Sequence, residues 1–119
     1  EIVLDQADIF DLECWDPYGA KYYYRQALYL YGQLCQKTQA IPARRDLARC
    51  YRGLGGICRK DGSLAEAEEY YIRGLRLAKF IYQLTQESED QGLVAGLQED
   101  LDKNAKELAT RDENGILIE

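Results

Sequence analysis

Arg49, Arg52 and Arg59, with Gly56 between them, follow a 3-4-3 spacing that sets them along one stripe of a helix. Guanidinium forks at that spacing can grip carboxylates in bidentate fashion. A glycine among them lets a ligand backbone approach closely. The chemistry implied is recognition of an acidic peptide segment or of a chain's C-terminal carboxylate. The stripe belongs to a wider basic block, since residues 44–60 hold six basic side chains against the single acid Asp46. That local net of +5 sits in a chain of net charge −6, so the remainder carries −11. The competing expectation is a solvated face, or arginines paired with the acidic helix at 64–73 beside them.

Other chemistries find less support. Tyr18, Tyr22, Tyr23, Tyr24, Tyr29 and Tyr31 crowd one segment, and aromatic rings near arginines can stack bases. An acidic chain with one basic stripe nevertheless suits nucleic acid poorly. The chain has no His, so the usual general base near neutral pH is missing. Gly53, Gly55 and Gly56 lack the spacing and the preceding strand of a phosphate loop. Glu66, Glu68 and Glu69 stand beside a helix start, where they favour the dipole without a catalytic role. Cys14, Cys35, Cys50 and Cys58 show no C-x-x-C spacing and have no His to complete a zinc site. Reduced, buried thiols in a cytoplasmic protein are expected, with no metal, no cofactor and no enzymatic activity.

The elements that must position the stripe are helical. A chain of 119 residues bounds the protein to one domain, large enough for a core. No apolar run approaches the roughly 20 residues needed to span a bilayer, so no membrane association is expected. The start lacks a signal-peptide pattern and an initiating Met, as expected of an excised or processed piece. Asp16-Pro17, Pro42, and the capping boxes Ser63–Glu66 and Ser88–Gln91 mark helix starts, while Asp61-Gly62 marks an end. Five helices are predicted, near 2–14, 17–38, 43–60, 64–87 and 89–109, and no strand is convincing. The fold class is all-α. Ile2, Val3, Leu4, Ile9, Phe10, Leu12 and Trp15 leave the first helix apolar on most of its circumference. Such a helix needs cover from an upstream repeat or from a second copy. The apolar tail Ile116-Leu117-Ile118 has no assigned role.

A shift of 47 residues brings landmarks into register. Ala20, Tyr23, Tyr24, Ala27 and Leu28 fall on Ala67, Tyr70, Tyr71, Gly74 and Leu75, and Thr38-Gln39 falls on Thr85-Gln86. Periods of this order mark helical arrays. The run Tyr51-x-x-Leu54-Gly55-x-x-Cys58, followed by Gly62, Ala67, Tyr71, Gly74 and Leu75, resembles one helix pair of the tetratricopeptide repeat family. It departs from the family pattern at Cys58, at Gly74 and in lacking the closing Pro. The longer unit resembles arrays of kinesin-light-chain type.

The resemblance implies a right-handed superhelix whose units are 1–41 and 42–88, closed by helix 89–109, with 111–119 as a tail outside the domain at 1–110. It further implies that the first helix of each pair lines a concave, ligand-holding face. Carried onto this chain, the positions are Arg49, Arg52, Gly56 and Arg59 in the middle unit and Gly96, Glu99, Lys103 and Lys106 in the closing helix. In the first unit they are Ile2, Asp5, Ile9 and Leu12. Gly56 stands where the family's carboxylate clamp has an Asn, so that clamp is not reproduced. The expected function is a non-catalytic module for protein–protein interaction that binds a peptide or protein segment. The alternative is a structural element that self-associates through its first helix.

Overall fold

The computed structural model describes residues 17–111, which form four helices and no strand: α1 (Pro17–Thr38), α2 (Ile41–Lys60), α3 (Leu64–Thr85) and α4 (Ser88–Ala109). The expected helix at 2–14, the cap at Asp16 and the tail at 112–119 lie outside the described residues. No helix among those described is long and apolar enough to cross a membrane.

The 47-residue repeat is present in the backbone. Helices α1 and α3 are both 22 residues long, and both their ends are offset by 47. Each stops at a threonine followed by a glutamine in the left-handed region, Gln39 at φ 52° and Gln86 at φ 55°. In each turn the glutamine N–H donates to the carbonyl four residues back, on Cys35 or Tyr82. In each, the threonine hydroxyl accepts the backbone N–H two residues on, from Ala40 or Glu87, at 3.2 Å. Two identical local devices therefore end two equivalent helices.

The starts depart from expectation. Helix α2 begins at Ile41, two residues before the predicted start, with Pro42 in its first turn. Ser63 makes no capping bond to α3. The reason is the preceding turn: Gly62 at φ 88° lets Ser63 N–H reach back to Cys58 O at 2.8 Å, while Gly62 N–H donates to Arg59 O. That six-to-one and five-to-two pairing is a Schellman end, and it fixes Ser63 away from cap geometry. Helix α4 begins at Ser88 itself, with Glu87 preceding it, so Ser88 is not its cap.

Side-chain contacts give the helix directions. Lys21, early in α1, pairs with Asp61 just past the end of α2 at 2.7 Å. Arg44, early in α2, stacks over Phe80 late in α3, 5.1 Å from the ring centroid. Asn104, late in α4, donates to Leu64 O at the start of α3 at 2.9 Å. Sequential helices are therefore antiparallel, and α2 and α4 run parallel.

The core sits on both sides of α2. Leu54 and Ile57 pack with Ala20 and Tyr24 of α1, while Cys58 packs with Ala67, Tyr71, Leu75 and Ala78 of α3 and Leu97 of α4. Close approach depends on absent side chains. A Cβ on Gly53 would overlap the Tyr24 ring, and one on Gly55 would stand 2.6 Å from the Tyr71 ring. Both rings are buried and have no room to retreat. Either Gly53→Ala or Gly55→Ala should therefore lower stability by about 1–3 kcal/mol despite alanine's better helix propensity, read as a lower urea midpoint by circular dichroism. An unchanged or raised midpoint would contradict this packing.

Candidate interaction groove between α2 and α4

Because α2 and α4 run parallel and neighbour each other, the arginine stripe of α2 faces acids on α4. Arg49 Nη2 donates to Glu89 at 2.7 Å, Arg52 Nε to Asp100 at 2.7 Å and Arg59 Nε to Glu107 at 2.7 Å. Arg49 also reaches Asp46 on its own helix at 3.3 Å. Of the alternatives a basic stripe offers, the arginines pair with α4 and not with the acidic segment 64–73, whose Glu66 meets Arg25 of α1. The physical reason is that α3 meets α2 through the apolar side that holds Cys58 and Gly55, leaving α4 on the stripe's side.

The strongest member of this ladder was not singled out from sequence. Arg45 forks onto Asp90, Nε to Oδ1 and Nη2 to Oδ2, both at 2.8 Å. Asp90 is only 1% exposed and also accepts the Thr85 hydroxyl. Arg45 reaches Glu87 as well, at 2.9 Å. The hydrogen bond from Arg45 holds the Asp90 carboxyl below the usual carboxylate range, against the opposing effect of burial. The 47-residue shift carries Asp90 onto Ala43, so it brings no second carboxylate into an equivalent place.

Two adjoining cavities open along the same face. One, of about 430 Å³, is lined among others by Tyr24, Arg49, Arg52, Gly53, Gly56 and Asp100. The second, of about 480 Å³, is lined by Gly56, Arg59, Lys60, Tyr71, Asp100 and Glu107. They share Gly56, Lys60, Tyr71 and Asp100, and so form one groove. The structure thus brings Arg49, Arg52, Gly56 and Arg59 together. Lys103 and Lys106 are exposed on α4 outside this lining, with Lys103 paired to Glu99 one turn back at 2.8 Å.

Gly56 differs from its neighbours. A Cβ there would meet only the Tyr71 hydroxyl, at 3.8 Å, an ordinary contact. Packing therefore accounts for Gly53 and Gly55 but not for Gly56, which costs helix stability and opens onto the groove. The Tyr71 ring is 2% exposed and its phenol is pushed up to about 12, chiefly by burial. It therefore stays neutral near physiological pH, hydrogen-bonded to Arg59. Burial likewise pushes the Cys58 thiol up to about 11, which leaves no reactive thiolate near neutral pH. Among the described residues no group of three or more His, Cys, Asp or Glu is arranged to hold a metal ion.

Sequence reasoning missed Asp100, Glu107 and the Tyr71 hydroxyl as groove residues. A signal for the acids was present: Asp100 and Glu107 are seven residues apart, matching the separation of Arg52 and Arg59. No family model, curated protein or solved structure matches this chain.

The buried fork makes a stability prediction. Removing the Asp90 charge leaves Arg45 with only the exposed Glu87 as ion partner, so Asp90→Asn should cost about 3 kcal/mol. Because the folded-state pKa of Asp90 lies below its unfolded value of about 3.9, its contribution is complete above that pH. It is then lost as pH falls through the lower folded value. Urea titrations from pH 7 down to pH 2 should show the gap between wild type and Asp90→Asn closing only at the acid end. A pH-independent gap would contradict the linkage.

Proposed function

We propose that this chain is a non-catalytic binding module, a tetratricopeptide-like helical array that receives a peptide or protein segment in the groove between α2 and α4. The observation that carries the reading is Gly56. It is a helix-interior glycine with no packing partner that requires it, set on the floor of a groove lined by arginines, carboxylates and a neutral tyrosine hydroxyl. Concave sites with a few convergent polar groups are the usual places for ligands. The 47-residue repeat of helix ends supports an array. The absence of His from the sequence and the raised Cys58 thiol support a role without catalysis. Arg49, Arg52 and Arg59 are the proposed anchors, with Lys103 and Lys106 as outlying contacts.

A second reading has its own observation. Helix α1 exposes Tyr22 (57%) and Tyr29 (66%) together with Leu30 and Leu34, and α3 exposes Phe80 and Leu84. Apolar surface of this kind favours self-association.

The two readings separate experimentally. Arg52→Glu with Arg59→Glu should abolish capture of the partners that the wild-type chain retains from extract, with the helical circular-dichroism signal kept. The same retained set from wild type and variant would sink the groove reading. Light scattering over a concentration series tests the second reading, for which a strict monomer is the contradicting result.

A further inference from the structure

We propose that the groove recognises the main chain of an uncharged, extended peptide segment, with Arg52 as donor and Asp100 as acceptor beside Gly56. The inference rests on the peptide-binding reading above and specifies the chemistry of its ligand. It departs from the acidic ligand that the arginine stripe suggests when read alone.

The first observation is charge. Every stripe arginine already faces a carboxylate: Arg49 meets Glu89 and Asp46, Arg52 meets Asp100, and Arg59 meets Glu107. An incoming acidic side chain would exchange like for like in a partly exposed setting, where such exchanges gain little. The field that would select an acidic segment is largely cancelled within the protein.

The second observation is how Arg52 is held. It meets Asp100 through Nε alone, and only one oxygen, Oδ2, accepts. The two terminal nitrogens lie against Gly96, where a Cβ would stand 2.7 and 2.8 Å from them. Arg52 makes no other hydrogen bond among the described residues, and Oδ1 of Asp100 accepts none there. Arg52 and Asp100 both line the groove, and among the described residues the pair keeps N–H donors and one carboxylate oxygen without a hydrogen bond. That combination matches the carbonyl and the N–H of a peptide chain, which need one donor and one acceptor. Lone ions would leave one of the two unmet.

The third observation is space. Gly56 borders both cavities, and its missing side chain lets a main chain lie against α2.

The test uses the full chain and a phage-displayed library of random linear peptides. Enriched peptides should show no excess of Asp or Glu. Their affinity should change by less than about threefold between 50 and 500 mM NaCl, since no net charge is neutralised. Methylating single backbone nitrogens of the best peptide should weaken it about tenfold at one or two central positions. Arg52→Lys, which keeps the charge but loses the fork, should weaken binding about tenfold, as should Gly96→Ala, which displaces the fork. Gly56→Ala should weaken binding while raising the melting temperature, which separates a lost contact from a lost fold. Enrichment of acidic peptides with steep salt dependence would overturn the main-chain inference and leave the peptide-binding groove standing. Failure to enrich any peptide over a protein-free control, or binding indifferent to Gly56→Ala, Arg52→Lys and Gly96→Ala alike, would overturn both.

Discussion

Two tyrosine rings rest where α2 carries no side chain, and the placement of the other helices follows from that contact. Tyr24 of α1 lies over Gly53, and Tyr71 of α3 lies over Gly55. Protein interiors are packed near crystalline density, so a single added methyl at either position has nowhere to go. With α1 held on one side of α2 and α3 on the other, α4 packs on α3 and reaches the stripe face of α2. Leu97 then packs into the same cluster as Tyr71 and Leu75 and ties α4 to α3. The polar ladder between α2 and α4 is a consequence of this apolar arrangement. It fixes register more than it drives assembly, because partly exposed ion pairs each contribute little. The buried Arg45–Asp90 fork is the exception, since its carboxylate has left water almost completely.

The same constraint explains why the groove exists. Helices brought close by glycine contacts leave a shallow channel beside the contact line, bounded by α4. Gly53 and Gly55 are occupied by rings from within the protein, whereas Gly56, one position further, is not. Three glycines in four residues therefore divide into two that serve the fold and one that serves the surface.

Much of this architecture was legible in the sequence, and the reasons for the failures are specific. The 47-residue shift found the equivalent helices because Ala20, Tyr24, Ala67 and Tyr71 occupy equivalent buried positions. It also found the equivalent stops, because Thr38-Gln39 and Thr85-Gln86 form the same turn. The caps misled because Ser63 and Ser88 were judged from their own motifs. Ser63 is controlled by the Schellman end before it, and Asp90 in the first turn of α4 is committed to Arg45. The arginines' partners on α4 are not legible from nearness in sequence, because spatial neighbours are set by packing. Here α4, two helices on from α2, lies parallel alongside it, and its acids at matching intervals are the ones within reach.

The central claim is that ligand recognition belongs to the α2–α4 groove. Its most direct measurement is a backbone amide shift map of the full chain, titrated with a peptide selected from a random linear library. The account predicts that the largest changes fall on Gly53, Gly56, Arg52 and Asp100. Changes confined to Tyr22, Tyr29, Leu30 and Leu34 on α1, with the groove silent, would contradict it.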